Sequence, residues 1–114
     1  MMTSLDVVAL YEDILSAAML KLQAAQAQNW DEFAHYDESI ADKVFIIGQA
    51  PVDLRFDAQQ DGRKRNAIEQ TLAVEAQSLV LAKARMSMLA AMIDTTAKHR
   101  QILDGYGGTA PDVT

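Results

Sequence analysis

Hydrophobic positions recur at alternating gaps of three and four through three blocks of this 114-residue chain. That spacing is the mark of amphipathic helices, since side chains three and four apart share one helical face. In the first block, about Leu5 to Ala27, the line is Val8, Tyr11, Leu15, Ala18, Leu22 and Ala25, widened by Val7, Leu10 and Ile14. Thr3 or Ser4 is a suitable N-cap, and Lys21 suits the negative end of the helix dipole. The second block opens at "NWDEF". Asn29 can cap it, Glu32 can answer as in a capping box, and Asp31 adds a charge that the helix start favours. Its line is Phe33, Tyr36, Ile40, Val44 and Ile47, and Gly48 followed by Pro51 reads as the stop. The link between these blocks is very short, which predicts antiparallel neighbours.

The third block carries the line Ile68, Leu72, Glu75, Leu79, Ala82, Met86, Leu89 and Ile93, with Val74, Leu81 and Met88 as a second line. From Arg63 to Lys98 it would span roughly 50 Å at about 1.5 Å per residue. Starting it at Asp61 would crowd Arg63, Lys64 and Arg65 onto a positive helix end, so a start after Asp53 with Gly62 inside the helix is preferred. Three of the five glycines fall in "LDGYGG", Leu103 to Gly108, and end the pattern near Gly105. The expected architecture is all-α: an antiparallel three-helix bundle or hairpin with one long third helix and a short C-terminal tail. Residues 1–104 form the helical domain and 105–114 the glycine-rich tail.

Composition narrows the functional classes. The formal charge of -6 lacks the basic footprint of a general nucleic-acid binder and disfavours an anionic lipid surface. No stretch of about 20 uncharged apolar residues is present to span a membrane. The N-terminal segment lacks a basic n-region, so it is not read as a signal peptide. The absence of cysteine removes disulfides and thiolate metal sites and fits a reducing cytoplasm.

Chemistry-bearing patterns are sparse. Glu32 and His35 form a single E-x-x-H pair, and His99 has Thr96 where a second copy would need glutamate. The di-iron arrangement requires two such pairs, so the plainer reading is a solvated face. No phosphate loop or nucleophile constellation is evident, and an enzyme is not expected. "GRKR", Gly62 to Arg65, reads as a solvated basic face or as a docking patch for an acidic partner segment. Glu75 lies in register with Leu72 and Leu79. A carboxylate there either borders an open face, or pairs with a donor, or sits at the edge of a seam displaced by one residue. Met86, Met88 and Met92 suit gap-filling in a core or an adaptable binding surface, the core being favoured.

Three segments together resemble the FliT family of flagellar export chaperones: "AQNWDEF"; "IEQTL" through "VEAQSL" into "MSMLAAMI"; and "KHRQILDGYG". The resemblance covers about nine-tenths of the chain and is one of pattern and spacing. It implies a cytoplasmic, homodimeric helical chaperone that binds the C-terminal region of the filament cap protein FliD. The chaperone prevents premature assembly of that client and delivers it to the export apparatus, with the export ATPase as a further partner. In some bacteria the family also binds the flagellar master transcription regulator and dampens transcription. The partner-binding residues it implies here are Ile68, Leu72, Leu79 and Lys83, and the register of the third block adds Glu75 and Met86. Tyr106, between two glycines, suits a short latch. The tail "GYGGTAPDVT" departs from members that continue into a regulatory helix, because its glycines and proline will not sustain one. The alternative from another class is a dimeric helical adaptor that sequesters a transcription factor. No cofactor is implied.

Overall fold

The computed structural model describes residues 1–107, with side chains through Gly105. Three helices follow one another: α1 (Ser4–Gln26), α2 (Trp30–Gly48) and α3 (Ala58–Gly107). The described residues contain no strand. None of their helices is long and apolar enough to cross a membrane. The chain divides into two compact units, Met1–Leu81 and Ala82–Thr114.

Each helix start in the first unit is fixed by side-chain capping. Thr3 Oγ1 accepts from the Asp6 amide at 3.2 Å, while the Asp6 carboxylate accepts from the Thr3 amide at 2.8 Å. These two bonds form a reciprocal capping box that satisfies amides with no intrahelical partner. Asn29 Oδ1 accepts from the Glu32 amide at 3.2 Å and caps α2. Asp57 and Gln60 repeat the reciprocal arrangement before α3, at 2.7 and 3.1 Å. The third helix therefore begins four residues after the Asp53 start expected from sequence. Gly62 does lie inside it, and the helix continues through Gly105.

The α1–α2 turn is a Schellman closure. The Asn29 amide reaches back to the Ala24 carbonyl at 2.8 Å and the Gln28 amide to Ala25 at 3.1 Å. Gln28 takes the left-handed conformation, φ 58°, that this closure needs. Asn29 then caps the next helix at once, which forces the two helices to run back along each other. Gly48 takes no positive φ. It lies in the last turn of α2, and Gln49 is the C-cap, so chain direction changes through the Pro51 turn instead of a glycine cap.

Within the first unit, α1 is the central element. Val7, Val8, Ile14, Ala17, Ala18, Lys21, Ala24 and Ala25 are all buried on it. Val8 lies between Ser4 and Glu12, which bond to Gln60 and Arg63 of α3. The side of α1 that carries Val8 therefore faces α3, and Lys21, on the neighbouring line Val7–Ala24, reaches both α2 and α3. Four of these buried positions are alanine, which lets helices approach closely but buries little apolar area per residue. α2 buries none of its residues completely and is held by half-buried Phe33, Tyr36, Ile40 and Ile47. Lys43 takes the half-buried place expected for Val44, which is exposed. The aliphatic stem of Lys43 packs there while its ammonium donates to Ser39 Oγ at 2.6 Å.

The packed face of α3 differs from its most apolar one. The line that runs through the buried residues Ala67 and Ser78 is Gln60, Lys64, Ala67, Thr71, Val74, Ser78 and Leu81, with half-buried Asp61, Ile68 and Glu75 along its edge. The gaps along the line alternate four and three. The seam thus sits one residue N-terminal to the hydrophobic line predicted from sequence. Small and amphipathic side chains occupy it because α1 supplies the bulk, through Val8, Tyr11, Leu15 and Leu22. Polar ties between α1 and α3 set the roll that hydrophobicity alone did not.

Candidate partner-binding face

The roll of α3 brings Glu75 to the edge of the seam and turns its apolar neighbours outward. Leu72 is 66% exposed and Leu79 53%. Ile68 is half-buried at the start of this line. Together the three form an apolar ridge on the first unit. Lys83 and Met86 lie in the second unit, on the continuation of the same helix, and both are exposed, Met86 at 68%. The side chain of Tyr106 lies outside the described residues.

Glu75 is paired, and its partner is Lys21. The Lys21 ammonium lies 2.8 Å from Glu75 Oε2 on α3 and 2.7 Å from Asp37 Oδ1 on α2. Its Nζ also lies 5.0 Å from the centre of the Phe33 ring. Lys21 is only 6% exposed. Burial by itself would depress its pKa, but hydrogen bonds to Asp37 and Glu75 outweigh that and hold it above the ordinary lysine value. One ammonium therefore ties all three helices at a single level. Sequence reasoning assigned Lys21 to the helix dipole and missed this role. The usable signal was its place on the widened apolar stripe of α1, seven residues after Ile14.

This tie is incompletely satisfied. Glu75 Oε1 and Ser78 Oγ are both buried with no hydrogen-bond partner among protein groups. Thr71, one level earlier, avoids that cost by bonding the Ala67 carbonyl at 2.7 Å.

The basic cluster is absorbed within the chain. Arg63 forms a two-pronged ion pair with Glu12, which holds the Glu12 carboxyl below its ordinary pKa. Lys64 sits 4.2 Å from the Phe56 ring centre and 3.8 Å from Asp61, and Arg65 lies 3.0 Å from Asp61. These contacts disfavour the docking-patch reading of "GRKR".

The methionines differ from the core expectation. Met86, Met88 and Met92 are all exposed, together with Leu89 and Ile93. Within the second unit, Leu89, Met92, Ile93, Thr96, Ala97 and Arg100 line one shallow depression. Glu32 and His35 are exposed on α2. Among the described residues, no three histidine, aspartate or glutamate side chains gather to hold a metal.

The site on the first unit thus consists of apolar side chains at helical spacing, bordered by the Lys21–Glu75–Asp37 tie. Such a face can hold an apolar segment of a partner. Searches of curated proteins and of solved structures give no match. The family model described as flagellar protein FliT matches residues 8–108. That span includes most of α1, all of α2 and the whole exposed line of α3, and the chain belongs to the FliT family of flagellar export chaperones.

Proposed function

We propose that this protein is the cytoplasmic export chaperone of the filament cap protein FliD. It binds the C-terminal region of that client, keeps it unassembled and presents it to the export apparatus, where the export ATPase is a further partner. It works as a homodimer. The observation that carries this reading is the line of half-buried Ile68 and exposed Leu72 and Leu79 on the first unit; Lys83 and Met86 are exposed in the second unit. A folded helix leaves its most apolar positions in water there. Covering each exposed leucine or methionine with a client helix would contribute about 1–2 kcal/mol. An amphipathic client segment whose own apolar face polymerises would be masked by that contact.

The test is a pull-down with the C-terminal segment of FliD. The segment is expected to be enriched over a scrambled peptide of the same composition. Equal recovery of the two would contradict the assignment.

A further inference from the structure

The outward side of α2 carries a second patch that the cargo face does not use. Phe45 is 67% exposed, and Val44 and Ile46 beside it are exposed as well. Phe45 points away from the half-buried line Phe33, Tyr36, Ile40 and Ile47 that packs α2 on the bundle. Helical spacing puts Asp31, Glu38 and Asp42 on the same outward line as Phe45, at gaps of seven, four and three, and all are exposed. None of the ion pairs among the described residues uses these three carboxylates. Over its whole length α2 has five carboxylates against one lysine, and that lysine is turned to Ser39. An aromatic and two aliphatic side chains therefore end a strip of uncompensated negative charge.

A second copy of this chain fits the strip poorly. The chain carries a net charge of -6, and five of its ten lysines and arginines, Lys21, Arg63, Lys64, Arg65 and Lys98, are already held in ion pairs within it. An anionic lipid surface is repelled for the same reason. The complementary occupant is a cationic amphipathic helix of a different protein. Its apolar residues would cover Phe45 and its neighbours, and its lysines or arginines would face Asp31, Glu38 and Asp42. We propose that the outward face of α2 is a docking site for such a basic helical segment, separate from the apolar line of α3.

The probe is a synthetic amphipathic helical peptide of leucine and lysine, compared with a leucine–glutamate peptide of identical pattern. Binding to the full chain is followed by calorimetry and by amide chemical-shift mapping. The lysine peptide is expected to bind, to shift amides over residues 38–46, and to weaken as salt is raised. The glutamate peptide is expected not to bind. A Glu38→Gln/Asp42→Asn/Phe45→Ser variant should bind about tenfold more weakly or worse. The control Asp13→Asn/Glu69→Gln, which removes as much charge elsewhere, should bind like the wild type. All of these positions are exposed, so the helical circular-dichroism spectrum should be retained. Equal binding by the triple variant overturns the proposal. So do shifts confined to α3, equal loss in the charge control, or binding of both peptides alike.

Discussion

Replacing Lys21 with alanine strands two carboxylates that face one another across the three-helix level and opens a gap beside Phe33. Asp37 and Glu75 keep some access to water, so the loss is expected below that of a fully buried pair, at about 2–3 kcal/mol in urea unfolding. Lys21→Met, which keeps the apolar stem, should lose less. The neighbouring hydroxyl of Ser78, 1% exposed and without a protein partner, works in the opposite direction. Ser78→Ala should raise stability by about 1 kcal/mol, because a desolvated hydroxyl is removed and helix propensity improves. Charge also sets the pH response. The pKa values of Asp6 and Glu12 are lowered, by the Thr3 amide and by Arg63 respectively. Their contribution is present above the ordinary carboxylate pKa and is lost as pH falls through the lowered folded values. Lys21 has a raised folded pKa, so its contribution is complete below the ordinary lysine value and lost as pH rises through the folded one. A plot of thermal midpoint against pH should therefore fall at both the acid and the alkaline end. A curve that stays flat up to strongly alkaline pH would contradict the buried lysine tie.

At the scale of elements, the helices differ in how firmly they are held. α1 buries eight residues, whereas α2 buries none and depends on half-buried rings and the Asp37 tie. Amide hydrogen exchange should be slowest in α1 and faster in α2, which opens first. The turn between them holds Gln28 in a conformation that glycine adopts more easily. Gln28→Gly should gain about 0.5–1 kcal/mol, since relief of the left-handed strain exceeds the added chain entropy. The existence and order of the helices, the caps of α1 and α2 and the Val8–Ala25 line of α1 were legible from hydrophobic spacing and cap chemistry. The start of α3 was less so. Asp53, Asp57 and Asp61 are all plausible caps, and only the reciprocal bond with Gln60 separates Asp57 from the others. The packed face of α3 lies one residue from its most apolar line, which was one of the readings that the register of Glu75 left open. Hydrophobicity ranks Ile68–Leu72–Leu79 above Ala67–Thr71–Ser78, while the fold chooses the seam that fits small residues onto α1 and satisfies Ser4, Glu12 and Lys21.

For the whole molecule, that displacement is what the proposed chaperone function rests on. The residues that make the sequence look like an ordinary core helix are left outside, where a client can cover them. Placing the candidate site was therefore partly a matter of sequence: the register of Ile68, Leu72, Glu75 and Leu79 was visible, but whether it faced α1 or water depended on ion pairs between distant residues. Lys21 and Glu75 are 54 positions apart, and no local spacing connects them. The methionines were ambiguous for the same reason, because periodicity shows which residues share a face but not what covers that face. The measurement that tests the central claim most directly is calorimetric binding of the FliD C-terminal segment to the wild type and to Leu72→Asp/Leu79→Asp. Both positions are exposed, so the variant should melt within about 0.5 kcal/mol of the wild type yet bind at least about tenfold more weakly. Unchanged affinity in a folded variant would show that the outward line of α3 is not the cargo face.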